Sequence, residues 1–247
     1  MSRAVPDPST RITFVLGTLL MGGSERQALL LARELRARGY VNLSVLGLSR
    51  PGRMTAACGA LAIPWRLARF RWPCRRLSLL QRLPVLAARL RSFHPDVVLA
   101  YTSRANVGAG LVWRLSGARG FVWNQRSVLP QGVVDSALAR RAARGSTAWT
   151  TNGAHAGDFL AASTGIERSR IQHVPNAVAL DPPAADAAAW RERLEATPRQ
   201  LVGTMVANLR EPKDQATLIS AWKEVVEAGG DADPPVLALA GRFDSLH

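Results

Sequence analysis

The chain has 247 residues, of which 47% are hydrophobic and 20% are charged. This composition is typical of a globular protein with one large or two modest domains, and it excludes general disorder. The charge is uneven: residues 1–134 carry 20 arginines and four acidic residues, a net charge of +16, whereas residues 135–247 carry 12 basic and 14 acidic residues. We therefore predict a basic surface on the first half of the protein.

The two cysteines, Cys58 and Cys74, are too few for a disulfide framework and do not form a CxxC pair. Both are predicted to be reduced packing residues. The N-terminal segment MSRAVPDPSTR lacks the apolar stretch of a signal peptide. No later apolar run approaches the roughly 20 residues that a membrane-spanning helix needs. We expect a cytoplasmic protein.

Short apolar runs alternate with helical patterns along the chain, which predicts an α/β protein with a parallel sheet covered by helices. The predicted strands are 12–16, 43–48, 96–100, 120–123, 147–151, 171–174, 201–206 and 236–240. The predicted helices are 24–38, 82–92, 105–115, 135–143, 155–162 and 213–228. Between Pro51 and Pro84 the pattern is irregular, and only the helix that begins at Arg82 is predicted there.

A domain boundary is predicted where a proline pair and many small residues occur together, in the sequence DPPAADAAA from Asp181 to Ala189. We assign residues 1–180 to a first domain, 181–199 to a linker and 200–247 to a second domain. The last segment holds a single βαβ unit, whose apolar faces need further elements to cover them. We expect it to be the incomplete beginning of a domain.

The turn after the first strand contains Gly22 and Gly23 at the start of a helix, with Ser24 as the predicted cap. The turn lacks the lysine of a P-loop, the spacing of a dinucleotide-binding motif and the final glycine of a serine-hydrolase elbow. Two interpretations remain open. The glycines could let backbone N–H groups approach an anion, or they could serve only as a tight turn.

A second loop of interest reads NLREPKD, residues 208–214, and lies between the strand 201–206 and the helix that follows it. Ligands of open α/β sheets bind at such strand ends. Arg210 and Lys213 are cations at the start of a helix, where the helix macrodipole favours anions. Either the pair attracts a bound anion, or this is an exposed loop with a solvated lysine.

Twelve arginines and no acidic residue occur between Leu35 and Pro95. This stretch favours an anionic partner such as a membrane surface or nucleic acid, although arginine-rich composition spread over solvated faces would also explain it. Nucleic acid is the less favoured partner because no nucleic-acid-binding motif accompanies the arginines. The four histidines show no metal-ligand spacing, so we predict no metal site.

Taken together, several motifs resemble family 4 glycosyltransferases, and they occur here in the family's order. The segments that carry the resemblance are GGSERQ (22–27), HPDVV (94–98), VPNAV (174–178), NLREPKD (208–214) and LAG (239–241). Each motif is weak alone, but the combination extends over residues 11–241 and is fairly specific.

The resemblance implies the GT-B fold, with an acceptor-side Rossmann-like domain followed by a truncated Rossmann-like donor domain. It implies retaining transfer of a sugar from a nucleotide diphosphate sugar to a glycan or lipid-linked acceptor, as in cell-envelope polysaccharide synthesis, with no metal or cofactor. Lys213 and Arg210 would stabilise the leaving diphosphate. Gly22, Gly23 and Asn208 would contact the donor.

The sequence departs from the family pattern at three places. Gln125 occurs where many members carry a histidine that contacts the sugar, and an amide can hydrogen-bond but cannot act as a base. Asn208 replaces an arginine. The paired-glutamate motif expected after Gly241 is not in this chain, so we predict that the chain alone is inactive.

Two hypotheses follow for the function. The first is a glycosyltransferase in contact with the inner face of the membrane. The alternative is a non-catalytic basic α/β module that binds an anionic membrane surface or nucleic acid.

Overall fold

The predicted alternation of strands and helices produces one parallel sheet in the first part of the chain. The computed structural model describes residues 7–70, 76–127, 137–180, 182, 185–209, 211–229 and 233–241, in two units, Met1–Ala179 and Leu180–His247. The strands described in the first unit are β1 (Ile12–Leu16), β2 (Leu43–Gly47), β3 (Trp65–Leu67), β4 (Val97–Tyr101), β5 (Gly120–Gln125), β6 (Ala148–Thr151) and β7 (Ile171–His173). The α-helices described there are α1 (Gly23–Ala37), α2 (Arg53–Ala60), α3 (Arg76–Arg91), α4 (Ser103–Val112), α5 (Ala137–Arg144) and α6 (Ala154–Thr164).

The strands pair in the order β3-β2-β1-β4-β5-β6-β7, and all of these pairs are parallel. The chain builds the sheet outward from β1 to β3 and then returns to place β4 beside β1. The strand order therefore reverses between β1 and β4. In open parallel sheets, such a reversal leaves a crevice at the carboxyl ends of the two strands, where ligands bind.

Side chains of successive strand residues point to opposite faces of the sheet, and each face has its own buried cluster. Phe14 and Leu16 of β1 pack on the face covered by α1 and α2. Val15, between them, joins the cluster with α3 to α6 on the other face. Both faces are therefore covered, as parallel sheets require.

The prediction for the region between Pro51 and Pro84 was incomplete. The structure has α2 and β3 there, and α3 begins at Arg76 rather than Arg82. Helix α3 continues through Pro84 because Leu79, Leu86 and Leu90 form a buried stripe on one side of it. Tertiary packing here outweighs the helix-breaking tendency of proline.

The second unit has a two-stranded parallel sheet, formed by β8 (Val202–Val206) and β9 (Val236–Ala240). Its described α-helices are α7 (Ala187–Arg193) and α8 (Gln215–Gly229). Helix α7 lies within the predicted linker and is capped by Asp186, whose Oδ1 accepts from the Ala189 N–H at 2.8 Å. Within the described part of this unit no residue is fully buried.

The α/β, Rossmann-like fold class predicted from the sequence is confirmed. Outside the region from Pro51 to Pro84, helix α7 was not predicted, and the other described strands and α-helices agree with the predicted ones to within three residues at each end. Cys58 is a free, buried residue of α2, and burial raises the pKa of its thiol to about 11. Cys74 lies outside the described residues. In the described helices, no stretch is both long and apolar enough to cross a bilayer.

Candidate substrate-binding site

The carboxyl ends of all seven parallel strands lie at one edge of the sheet, so the loops that follow them gather there. Among them are the glycine turn after β1, the residue Thr102 after β4, the segment Arg126–Ser127 after β5 and the segment 174–179 after β7. The predicted first-unit residues Gly22, Gly23 and Gln125 are thus at this edge.

The glycine turn is held by the carboxylate of Glu25. Gly22 is the N-cap of α1, and no side chain caps it, so the prediction that Ser24 is the cap was wrong. Instead, the Glu25 carboxylate accepts from the Thr18 hydroxyl at 3.2 Å and lies beside the backbone of Gly22. The Gly22 N–H donates to the Leu20 carbonyl at 3.0 Å.

Glu25 is buried, and this burial raises the pKa of its carboxyl group, although hydrogen bonding to the carboxylate acts in the opposite direction. Its position also explains Gly22. A Cβ atom on Gly22 would lie 2.8 Å from Glu25 Oε2, so a larger residue would displace the carboxylate. Because the Gly22 N–H already donates to the Leu20 carbonyl, it is not a free donor for a ligand.

Gly23 differs from its neighbour. A Cβ atom on Gly23 would meet no atom of the described chain within 4 Å, and its backbone is not in the left-handed region. The residue is exposed and begins α1. Neither the packing nor the backbone conformation of this unit therefore requires a glycine at position 23, and the open space beside it is free for a ligand.

One helical turn after Gly23, Gln27 fastens the segment that follows β7. Its side-chain amide donates to the Ala177 carbonyl at 2.7 Å and accepts from the Ala177 N–H at 2.8 Å. Residues four apart on a helix share a face, so Gly23 and Gln27 lie on the same side of α1. The motifs GGSERQ and VPNAV, about 150 residues apart in sequence, thus form one surface.

Gln125 points into the protein. It is 1% exposed, its Oε1 accepts from Trp123 Nε1 at 2.9 Å, and its Nε2 donates to the Ser127 carbonyl at 2.6 Å. Contact with a sugar stays a prediction, and it would require this amide to leave its partners.

Arg126, the next residue, is half-buried at the same edge. Its guanidinium Cζ lies 5.5 Å from the ring centroid of Tyr101, and its Nη2 donates to Asn176 Oδ1. Burial lowers the pKa of this guanidinium.

Thr102 has an unusual backbone at the reversal point of the sheet. Its φ of 77° and ψ of 153° fall in a region that is populated almost only by glycine. Its Oγ1 is buried and has no hydrogen-bond partner among the described residues. A Cβ atom on Gly17, at the end of β1, would lie 3.0 Å from that oxygen.

In the second unit, Lys213 is exposed and ends a short 3-10 turn, Glu211–Lys213, just before α8. Among the described residues it has no ion-pair partner. Asp214 caps α8 by accepting from the Thr217 N–H at 3.3 Å. The half-buried Asn208 begins the loop, and its carbonyl accepts from Gln215 Nε2 at 3.0 Å. Arg210 lies outside the described residues.

Comparison with known proteins decides the family. The family model described as Glycosyltransferase Family 4 matches residues 21–182, about two thirds of the chain. The chain belongs to glycosyltransferase family 4. The match extends from the residue before Gly22 to just beyond the segment that Gln27 binds, so it includes the site in the first unit.

Solved structures show the same fold for this family 4 chain. The HepE protein of Anabaena, in complex with UDP and glucose, is 18% identical with a TM-score of 0.69, and the match covers 93% of this chain and 60% of that one. A glycosyltransferase from Rickettsia africae is 12% identical, with a TM-score of 0.68 and coverages of 94% and 60%. The galactosyltransferase WaaB of the lipopolysaccharide outer core is 14% identical, with a TM-score of 0.56 and coverages of 93% and 60%.

The family 4 chain thus spans about 60% of the length of these solved relatives. No curated protein matches it.

Two motifs of the family 4 resemblance have structural roles away from the candidate site. Asp96, in the HPDVV segment, accepts from the N–H and Nε of Arg11 at 3.0 Å and from its Nη2 at 2.9 Å, and it also contacts Arg119. These residues tie together the amino ends of β1, β4 and β5. In the LAG segment, a Cβ on Gly241 would lie 1.8 Å from the Ala207 carbonyl oxygen, so the close approach of these two strand ends requires glycine.

Sequence reasoning did not assign Glu25, Gln27, Thr102 or Arg126 to the site. Gln27 is the last residue of the GGSERQ motif and Arg126 follows Gln125, but their partners lie 150 and 50 residues away in sequence. The unusual backbone of Thr102 has no sequence signal, since threonine ordinarily avoids this conformation. In the described part of the chain, no group of three or more histidine, cysteine, aspartate or glutamate residues is arranged to hold a metal ion.

Proposed function

We propose that this chain is the acceptor-side domain and the first part of the donor domain of a glycosyltransferase. The enzyme transfers a sugar from a nucleotide diphosphate sugar to a glycan or lipid-linked acceptor, with retention of configuration. One observation carries the proposal: the family match extends over residues 21–182, whose two ends are joined by Gln27 and Ala177 beside the reversal point of the sheet. The UDP and glucose in the HepE complex support a nucleotide-sugar donor.

In this proposal the glycine turn and the loop 208–214 each contact the donor. Gly23 supplies an open stretch of backbone, and Gly22 allows Glu25 to hold the turn in place. Negative charge develops on the diphosphate as the bond to the sugar breaks. Lys213, together with Arg210, stabilises that charge, because preorganised cations are most effective where charge appears in the transition state. As part of this proposal, Asn208 contacts the donor and Gln125 contacts the sugar.

The basic surface supports a second element of the proposal, peripheral contact with an anionic membrane from the cytoplasmic side. Eight of the nine arginines between Leu35 and Pro95 whose side chains the structure describes are exposed, and the ninth, Arg36, is half-buried. Such contact would bring the enzyme to a lipid-linked acceptor. It suits a role in cell-envelope polysaccharide synthesis, and it makes binding to nucleic acid unnecessary as an explanation.

The proposal is tested with the product of the complete gene and a panel of nucleotide sugars and lipid-linked acceptors. We expect multiple turnovers, with the anomeric configuration of the donor preserved in the product, as read by NMR. The 247-residue chain alone is expected to show no turnover, because it spans only about 60% of the length of the solved relatives. Turnover by the chain alone would contradict its assignment as a partial enzyme, and none by the complete product would contradict the function.

The role of Gly23 has a matched control. In Gly23→Ala, the added methyl group enters the space assigned to the donor, so we expect the KM for the nucleotide sugar to rise at least 10-fold without loss of stability. Gly59, near the end of α2, is also exposed with no atom within 4 Å of a built Cβ, and Gly59→Ala should leave the KM unchanged. Equal kinetics of the two variants would remove Gly23 from the site.

A further inference from the structure

Arg126 is a half-buried cation whose charge nothing in the described chain balances. Its only described polar partner is the neutral side-chain oxygen of Asn176, and no described carboxylate lies within ion-pair distance. Tyr101, under the guanidinium, is not a counter-charge, since burial raises the pKa of its phenol to about 12. A guanidinium has five N–H donors, so most of those on Arg126 are without a described acceptor.

A purely structural role does not explain this arrangement. Arg126 links the end of β5 to the segment after β7, but a neutral side chain could donate to Asn176 without the cost of partly burying a charge. That segment is also fixed independently by the two bonds between Gln27 and Ala177. Asn106 similarly fixes the end of β5, through bonds of 2.8 and 3.2 Å to the backbone of Asn124.

The position of Arg126 adds a second observation. It binds Asn176, the neighbour of Ala177, and Ala177 is held by Gln27, one turn from the open backbone at Gly23. The guanidinium thus belongs to the same surface as the free space beside α1. Its planar fork matches the paired oxygens of a carboxylate or a phosphate.

We propose that Arg126 binds an anionic group, a carboxylate or a phosphate, carried by the acceptor sugar. This inference rests on the proposed function, in which the first unit binds the acceptor next to the donor that Gly23 contacts, and Lys213 holds the donor diphosphate. The acceptor is then a charged sugar or a sugar phosphate rather than a neutral glycan. Arg126 selects it because binding the anion supplies the missing counter-charge.

The test measures the affinity of the chain for glucuronate, glucose 6-phosphate and neutral glucose by titration calorimetry, with UDP titrated in parallel. We expect either charged sugar to bind more tightly than glucose by about 10- to 100-fold, the range of a charge-assisted hydrogen-bond pair. Arg126→Gln should abolish the preference, and Arg126→Lys, which keeps the charge without the fork, should retain part of it.

Arg119 provides the matched control. It is 81% exposed and precedes β5, whereas Arg126 follows this six-residue strand, so the two residues lie about 20 Å apart. Arg119→Gln changes the net charge by the same amount, and it should keep the full preference for charged sugars. If Arg126→Gln fails to fold, Arg126→Lys is compared with the wild type instead. A weaker preference for charged sugars, in a variant that still shows the wild-type melting transition, assigns the preference to the planar guanidinium.

The inference would be overturned if the wild-type chain bound charged and neutral sugars with equal affinity, or bound neither. A preference that survives Arg126→Gln would also overturn it. If Arg126→Gln weakens UDP binding instead, the guanidinium belongs to the donor diphosphate; the acceptor assignment fails and the glycosyltransferase proposal stands. If the product of the complete gene binds no UDP but the Arg126-dependent preference for charged sugars remains, the anion site stands and the proposed function fails.

Discussion

Replacing Thr102 by glycine should make the protein more stable, which is the reverse of the usual effect of a glycine substitution. At φ 77° and ψ 153°, a residue with a Cβ atom is strained by about 1 to 3 kcal/mol. Glycine has no such strain. The substitution also removes the buried Oγ1, which has no hydrogen-bond partner among the described residues. Against this stand about 0.5 to 1 kcal/mol of extra entropy in the unfolded chain and about 0.8 kcal/mol for the lost methyl group. The expected net gain in the free energy of unfolding is about 1 to 2 kcal/mol.

Alanine at the same position separates the two contributions. Thr102→Ala removes the hydroxyl and the methyl group but keeps the strained backbone, so its stability should stay close to that of the wild type. The difference between the glycine and alanine variants then measures the strain, less the roughly 0.5 to 1 kcal/mol of extra entropy that glycine has in the unfolded chain. Thr151→Gly is the control at an ordinary strand position, where the hydroxyl donates to the Gly153 carbonyl at 2.9 Å, and it should destabilise the protein.

The assay is urea unfolding followed by circular dichroism, with the midpoint and the slope compared between variants. We expect a higher midpoint with an unchanged slope for Thr102→Gly. If this variant is no more stable than Thr102→Ala, the backbone at position 102 is not strained and the reasoning is refuted. Strain persists where function needs it, so the stabilised variant should bind the acceptor or donor less tightly.

Three further predictions concern the fastening of the site, the far end of the sheet and the basic surface. Gln27→Ala should speed hydrogen exchange of the Ala177 N–H about 10-fold, because the bond from this N–H to the Gln27 side chain, worth about 1 kcal/mol, is lost. Gln27→Glu keeps an acceptor for the N–H and should keep its exchange slow. Equal exchange rates in the wild type and both variants would contradict the contact. Asp96→Asn should cost about 1 to 2 kcal/mol of stability at neutral pH. The pKa of Asp96 in the folded protein is lowered to about 2. Its contribution to the free energy of unfolding is therefore present above the ordinary carboxyl pKa near 3.9 and disappears as the pH falls toward 2. A stability difference between Asp96→Asn and the wild type that is the same at every pH would contradict this. The chain should sediment with anionic vesicles in low salt and not with neutral ones, since each arginine near an anionic surface contributes about 1 kcal/mol; salt-resistant preference for competing duplex DNA would favour the basic-module alternative instead.

The regular part of the fold could be predicted because its elements have strong local patterns. The apolar run of β1 and the helical period of α1 are readable from the sequence alone. Strand β3 was missed because it has three residues and lies at the edge of the sheet with Trp65 and Arg66 exposed, so it lacks a buried pattern. Pro84 hid the first half of α3, since only the packed structure shows the stripe that continues past it.

The candidate site could be predicted only in part, because it depends on contacts between distant segments. The glycine pair is visible in the sequence, but the difference between the surroundings of Gly22 and Gly23 depends on where the Glu25 carboxylate lies. The pairing of Gln27 with Ala177 requires the whole sheet to bring the ends of β1 and β7 to one edge. Neither the buried position of Gln125 nor the unbalanced charge of Arg126 has a local signature.

Lys213 is proposed to stabilise the diphosphate leaving group, and the chain's only other lysine, Lys223, is its control. Lys223 is exposed on α8 and lies 3.5 Å from Glu227, away from the loop. In the product of the complete gene, we expect Lys213→Ala to lower kcat by about 100-fold or more, the loss typical of one charge-stabilising group. Lys223→Ala should keep the wild-type kcat. Near wild-type kcat for Lys213→Ala, together with its abolition by Gln125→Ala, would contradict the account and assign the chemistry to the first unit.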